Sequence, residues 1–373
     1  MRVLRTRFVR QDLRVAFVPW LAARALVLGA LLLARHVFDE VGRGARPVQL
    51  GQGLFAWDAA YYRDIAEHGY DAVPTAALRF FPLVPLAARG LGALLLGHDA
   101  VALLLIANVS ALVFGALLHR LTLQETGDVA AAARAAWFAA LLPAASALVM
   151  GYADATALAL AVGVFLALGS ERFALAGALG FAAGMTRPLG LLLAVPALLE
   201  VLRVRHGVTV RGWVARVAAV AGPVLGLGAY LVWVGATRRD PWLPFSVQQR
   251  ARLRGDFVDP VSRLVRAAHD LVGGDRFGSG LHLVWAVVFL GLLVVVARRM
   301  RAPFVAYSAV TLLVGLSAEN LDSMERYALG AFPLLIALAL VTGRRQVERL
   351  AVTLAAGGLV GYAVLAFLGS SVP

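Results

Sequence analysis

FFPLVPLAARGLGALLLG, Phe80 to Gly97, is apolar enough to enter a membrane but poorly built to cross one. It holds two prolines, Pro82 and Pro85, and a mid-run Arg89. Its length is borderline against the ~20 residues a spanning helix needs. Whether it crosses decides which side of the membrane every later loop faces.

The surrounding chain leaves no doubt about its class. Of 373 residues 61% are hydrophobic, and the mean hydropathy is +0.79. Repeated windows of about 20 apolar residues predict an all-α, polytopic transmembrane bundle. The net charge is +13 and there is no lysine, so every Lys/Arg position is arginine. Those arginines fall in short clusters between apolar runs, as cytoplasmic loops do, rather than in a surface for nucleic acid. With no cysteine there is no disulfide and no thiolate metal site. The N-terminus, MRVLRTRFVRQDLR, resembles the n-region of a signal peptide. The apolar run from Val15 to Ala34 is nevertheless long enough to span, which predicts an uncleaved first helix.

Further spans are expected near 100–118, 129–149, 153–169, 173–186, 188–202, 213–235, 282–297, 303–318, 326–342 and 347–368, about 11 in all. If 80–97 does not fully cross, the loops that become cytoplasmic hold His119, Arg120 and Arg134, then Arg172, then Arg203, Arg205, Arg211 and Arg216. Arg298, Arg299 and Arg301 follow, then Arg344, Arg345 and Arg349, and the Arg-rich N-terminus is inside as well. If 80–97 crosses, all of these face outside. The run is therefore read as a re-entrant or interfacial helix within a first outer loop of about 36–99. The short runs 173–186 and 188–202 are read as a pair broken at Thr186-Arg187-Pro188. One outer loop, about 236–281, departs from the charge rule with Arg250, Arg252, Arg254, Arg263 and Arg266. Long loops translocate with little regard to charge, and this one offers a basic surface to anionic head groups or substrate. The whole chain, 1–373, is read as one membrane domain.

Just upstream lies Phe55 to Tyr70, FAWDAAYYRDIAEHGY, with three acids, two bases and five large aromatics. Helical spacing puts Trp57, Tyr61 and Ile65 on one stripe and Asp64, Glu67 and Asp71 on another. An amphipathic helix of about 12 residues is expected, too short to span and closed by Gly69. Asp58 stands at its start. Read locally it is an N-cap; read with the rest of the chain it is a catalytic carboxylate at a cavity mouth.

In this topology the unusual polar residues all fall on the outer side. They are Trp57-Asp58, Gly151-Tyr152-Ala153-Asp154, Thr186-Arg187-Pro188, Gln248 and Gln249, and the group Glu319, Asp322, Glu325 and Arg326. A charge at mid-bilayer costs about 2.5–3.5 kcal/mol unless paired or used. Asp154 has a local reading as a helix cap, and Glu325 and Arg326 as interfacial anchors. Five such places on one face and none on the other favour a shared outer cavity. Aromatics there would stack on a sugar, arginines would clamp a phosphate and a carboxylate would take a proton from an attacking hydroxyl. No Gly-rich strand-to-helix motif, no Asp-x-Asp pair and no soluble domain equips the chain for a nucleotide sugar. A sugar on a lipid carrier remains.

In order along the chain, FAWDAAYYRDIAEHGY, RFFPLVPLAARGLG, GYAD, TRPLGLLL, DPWLPFSVQQR and ERYALGAFPLLIALA resemble the bacterial relatives of PIG-V. PIG-V is the second mannosyltransferase of glycosylphosphatidylinositol assembly, a multi-span glycosyltransferase of the GT-C class. The resemblance runs from about Phe55 to Ala339, and Trp-Asp-x-x-Tyr-Tyr with the following Phe-Phe-Pro-Leu is its most specific part. It implies a polyprenyl-phosphate sugar donor, with mannose as the sugar, and Asp58 in the place of the class's first-loop catalytic acid. Asp154 stands where the family usually shows Glu after Tyr-Ser. Gln249 matches the family's loop Gln, without the Trp that usually follows, and Arg187 and Arg326 fit the pattern.

The expected function is inverting transfer of a sugar from the lipid-phosphate donor to a lipid, glycan or protein acceptor on the outer face of the cell membrane, with the N-terminus cytoplasmic. Asp58 is the expected base and Asp154 a second acceptor contact. Arg187 and Arg326 hold donor phosphate, and Trp57, Tyr61, Tyr62 and Tyr152 shape the sugar site. Gln249 and Glu325 complete the substrate contacts. Some GT-C relatives use a divalent ion, but the scattered single acids here predict no metal and no cofactor. The rival is a lipid or polyprenyl-phosphate transporter without transferase activity, which calls for inverted repeats or a matching polar site on the inner side. Neither is visible in the sequence.

Overall fold

Apolar runs form helices in a membrane because only a helix satisfies each backbone N–H and C=O within its own segment. The computed structural model describes residues 2–42, 44–203, 209–250, 253–273, 279–321 and 323–370, with side chains described from Arg10 and, after 273, from His282. Arg205, Arg252 and Asp322 lie outside the described residues. Among those described, all regular structure is helical apart from an isolated antiparallel bridge between Phe257 and Ala318. Among the described residues five helices are long and apolar enough to cross a membrane: Arg10–Val41, Asp99–Thr126, Val210–Arg238, His282–Arg299 and Arg345–Phe367. The protein is a multi-pass helical membrane protein.

The shorter elements show where the chain departs from straight spans. The expected span 129–149 is a helix, Val129–Leu141, followed by a 3-10 stretch, Pro143–Leu148, because Pro143 cannot donate to the preceding turn. The expected span 326–342 is also broken. Met324–Gly330 and Pro333–Val341 meet at 91°, and only as a bent pair do they make a sixth span. Pro333 opens the second helix, where its missing N–H costs nothing. Phe173–Thr186 ends as anticipated before Arg187, whose backbone is extended, and Pro188 opens the next turn. Leu83–Leu94, within the run that sets the parity, has 12 residues. At ~1.5 Å per residue it is about 18 Å long, short of a ~30 Å hydrocarbon core.

The chain divides into two compact units, each assembled from separate stretches. The first comprises Met1–Asp71, Val84–Val162 and Leu338–Pro373. Its long helices Arg2–Val41, Asp99–Thr126 and Arg345–Phe367 pack around Val129–Leu141. Small residues set the approach: a Cβ on Gly115 would lie 3.3 Å from that of Ala16. The turn at 126–128 is closed by Gly127 in the left-handed region, and Asp128 caps the next helix by accepting from the Ala131 amide at 2.9 Å.

The second unit comprises Ala72–Leu83 and Gly163–Ala337. Phe173–Thr186 lies against Val210–Arg238 at backbone contact, since a Cβ on Gly222 would strike the Gly177 carbonyl and one on Gly226 the Phe181 carbonyl. This is the small-residue packing by which helices associate without a hydrophobic drive between them. Phe165 anchors an aromatic core, with ring centroids 4.8 Å from Phe304, 5.4 Å from Tyr307 and 5.0 Å from Phe332. The Tyr307 hydroxyl donates to the Gly330 carbonyl at 3.1 Å, which ties this core to the bend. Tyr230 fixes the Phe-Phe-Pro stretch, donating to the Leu78 carbonyl at 2.8 Å and packing 4.6 Å from the Phe81 ring.

Candidate functional site

The first unit carries the acids and most of the aromatics. Asp58 is the first residue of the helix Asp58–His68, and the cap position belongs to Trp57. The N-cap reading of Asp58 is thereby corrected by one residue. Trp57 has φ 59 and ψ −126, nearly the conformation of Gly53 four residues earlier. For a bulky residue that backbone costs roughly 1–3 kcal/mol and persists only where its surroundings impose it. The indole is held by its Nε1–H, which donates to the Ala366 carbonyl at 3.0 Å. Gly69 closes the helix at φ 79, as expected.

The buried stripe of this helix is Ala59, Tyr62, Ile65 and Ala66, whereas Tyr61 is half-buried. The expected stripe through Trp57 and Tyr61 is therefore phased wrongly. The reason is steric: Ala59 gives the close approach, lying 3.5 Å from where a Cβ on Gly151 would be. The Gly151 amide donates to the Leu54 carbonyl at 3.1 Å. These contacts bring the two predicted acidic stretches together, with Asp58 next to Ala59 and Tyr152 and Asp154 just beyond Gly151. Tyr152 is fully buried and Asp154, the first residue of its helix, is 5% exposed.

The second unit carries the arginines. The Arg254 guanidinium lies over the ring of the half-buried Tyr327, 3.9 Å from its centroid, and the charges of Arg254, Arg187 and Arg326 all act on its phenol. Arg254 also donates to the carbonyl of Gly315 at 2.8 Å, capping the end of Ala302–Leu316. Beside Arg326, Glu325 is buried with both carboxylate oxygens near His282 Nδ1, at 2.8 and 3.0 Å. Gln249 is exposed at the end of Leu243–Gln248, whose last carbonyl accepts from the Arg254 amide at 3.1 Å. In the same loop Asp259 caps the helix Pro260–Gly273, and the Ser262 amide, at 2.7 Å, holds its carboxyl below the usual carboxylate range.

Tyr327 and His282 were missed from sequence, and Arg254 was read only as part of a basic loop surface. Arg254 is one of several loop arginines, and His282 is a lone histidine at the start of an apolar run. Neither has a local pattern that marks it. Among the described residues no cluster of His, Asp and Glu is arranged to hold a metal ion.

Buried charges also lie far from these stretches in each unit. Asp12 is buried between His119 Nδ1 at 2.7 Å and Arg120 Nε at 2.8 Å. His119 is 16 residues along its helix from Leu103, which abuts Gly151, so this triad lies ~24 Å from the acidic stretches. In the second unit Glu200, 5% exposed, pairs with Arg301 at 2.7 Å and Arg203 at 3.0 Å. Arg301 stands at the N-terminal end of Ala302–Leu316, opposite the end that Arg254 caps. Read from sequence, His119, Arg120, Arg203 and Arg301 are loop bases; the structure pairs them with the buried carboxylates of Asp12 and Glu200.

No protein-family model matches the chain, and no curated protein matches it by sequence. Among solved structures it is similar to the oligosaccharyltransferase of Archaeoglobus fulgidus in complex with zinc and sulfate. That likeness has 13% identity and a TM-score of 0.45, over 92% of this chain and 52% of that one. It is also similar to the archaeal oligosaccharyltransferase AglB from Archaeoglobus fulgidus in complex with an inhibitory peptide and a dolichol-phosphate. There the identity is 12% and the TM-score 0.44, over 94% of this chain and 56% of that one. The chain spans about half the length of the solved structures it overlaps.

Proposed function

We propose that the protein is an inverting glycosyltransferase that takes a sugar, mannose, from a polyprenyl-phosphate donor and passes it to a lipid or glycan acceptor on the outer face of the membrane. The observation that carries this reading is the setting of Asp58. It opens a short helix behind a strained tryptophan and stands beside a second acid-bearing corner, Gly151 to Asp154. Strain of this kind gathers where a side chain must be aimed. In the proposed reaction the Asp58 carboxylate accepts the proton of the acceptor hydroxyl as that oxygen bonds to the sugar's anomeric carbon. The bond from that carbon to the phosphate oxygen breaks, and polyprenyl phosphate leaves. Asp154 orients the acceptor, and Trp57, Tyr61, Tyr62 and Tyr152 shape the sugar site. Arg187 and Arg326, joined by Arg254, hold the donor phosphate, with Gln249 and Glu325 as further substrate contacts.

Asp58→Asn is the direct test. Asn keeps the shape at the first helical position and removes the proton acceptor, so turnover should fall by about 10²–10⁴ at unchanged protein level. Unchanged turnover would leave Asp58 a structural residue.

The transporter reading gains one observation, the buried charged groups around Asp12 and Glu200 far along the helices from the acidic and arginine clusters. In both groups the buried carboxylate already has an arginine partner, Arg120 for Asp12 and Arg301 for Glu200. A transporter would move the intact lipid with no sugar transferred.

A further inference from the structure

Arg24 lies inside the spanning helix Arg10–Val41, where a cation needs a reason. Its Nε–H donates to Asn108 Oδ1 at 2.8 Å, its Nη2 to the Leu148 carbonyl at 2.9 Å and its Nη1 to the Trp20 carbonyl at 3.2 Å. The guanidinium is 4.6 Å from the Trp20 ring centroid. Trp20 in turn donates its Nε1–H to the Asn108 carbonyl at 2.9 Å. The Asn108 amide nitrogen donates to the carbonyls of Leu104 at 2.8 Å and Val149 at 3.1 Å. Two adjacent carbonyls at the end of the 3-10 stretch, Leu148 and Val149, are thus held by side chains from two different helices. Gly151 follows two residues later, bonded to Leu54 and packed on Ala59.

We infer that Arg24, together with Asn108, is a positioning residue for the acidic site: it fixes the corner that carries Tyr152 and Asp154 at the height where it meets the Asp58 helix. A planar fork with donors in fixed directions can join Asn108 to Leu148 in one side chain, which an ammonium cannot. That this corner belongs to a reactive site rests on the transferase reading above; the positioning itself does not.

The chain has no cysteine, so a single engineered pair reports the geometry without background. A Cβ on Gly151 would lie 3.5 Å from that of Ala59, within the range of a disulfide. Ala59→Cys with Gly151→Cys should bridge readily under mild oxidation, read by loss of maleimide labelling in the purified full chain. Adding Arg24→Met should slow bridging by about tenfold, since a displacement of the corner by an ångström defeats the geometry. Arg24→Lys should fall between. Asn108→Leu should reproduce the effect, and it serves where Arg24→Met fails to fold. Arg134→Met is the control, since Arg134 is also buried and donates to a carbonyl, that of Ala339 at 2.8 Å, away from this corner. Equal bridging rates in the Arg24, Asn108 and Arg134 variants would overturn the inference. In the cysteine-free chain Arg24→Met should lower kcat by about tenfold with donor KM unchanged. Lost turnover with unaltered bridging would also overturn it. Slowed bridging in a protein that transfers no sugar would uphold the positioning and refute the transferase reading.

Discussion

A guanidinium offers a phosphate a planar fork of N–H donors, whereas an ammonium offers a point charge. That difference gives a test of Arg187, Arg254 and Arg326, which converge electrostatically on Tyr327. Each charge-assisted bond to phosphate contributes roughly 1.5–3 kcal/mol. Arg187→Lys or Arg326→Lys should therefore raise the KM for a lipid-phosphate donor by about tenfold while the protein still folds. Arg254→Lys should be the more damaging of the three to stability, because it also loses a bond to the Gly315 carbonyl and the stacking on Tyr327. Steady-state kinetics with thermal unfolding of each variant separates the two effects. Residues of this kind were legible in unequal measure. Arg187 stands at a helix break flanked by proline and Asp58 follows a tryptophan in a polar interruption, and both stand out against apolar runs. Arg24 is averaged away in the hydropathy of its span, and only its bonds reveal it.

At the scale of elements, the pairing of Phe173–Thr186 with Val210–Arg238 rests on glycines that admit no side chain. Gly222→Ala would drive a methyl into the Gly177 carbonyl, and Gly184→Ala would meet the Leu227 amide at 2.7 Å. Backbone rather than a flexible side chain must yield, at a cost of about 1–3 kcal/mol. Gly228→Ala, on the same long helix but facing open space, should be neutral or slightly stabilising. Thermal unfolding in detergent should rank the three in that order, and equal melting temperatures would contradict the packing. The elements themselves were largely legible, because apolar runs and prolines mark where helices begin and stop. The bend at Ala331-Phe332-Pro333 was not, since hydropathy runs through it unbroken and its cause is tertiary. Phe332 is drawn into the aromatic core of Phe165 and Tyr307, and the chain turns around it. The phase of the Asp58–His68 helix was missed for a similar reason: large aromatics weigh most in a periodicity, while small Ala59 makes the close contact.

At the scale of the whole molecule, the arginine distribution predicts a cytoplasmic N-terminus and the loops around Asp58 and Arg254 outside. Single cysteines can be placed at exposed positions and probed in intact cells with an impermeant thiol reagent. Glu67→Cys and Asp256→Cys should label, and Glu171→Cys and Gln346→Cys should not. Labelling of the second pair would reverse the topology and with it the face assigned to the reaction. Among the described residues five helices have the length and apolar character to cross, or six spans with the bent pair. Labelling of the loops between the shorter helices measures how many of the expected 11 cross.

The measurement closest to the central claim follows the label itself. Purified protein in liposomes is given polyprenyl-phosphate mannose labelled in the sugar, with an acceptor lipid extract, and in parallel the corresponding nucleotide sugar. Transfer from the lipid donor to the acceptor fraction, with release of polyprenyl phosphate and an inert nucleotide sugar, is the predicted result. Transfer from the nucleotide sugar with no lipid carrier present, or movement of the intact lipid across the bilayer with no sugar transferred, would contradict it.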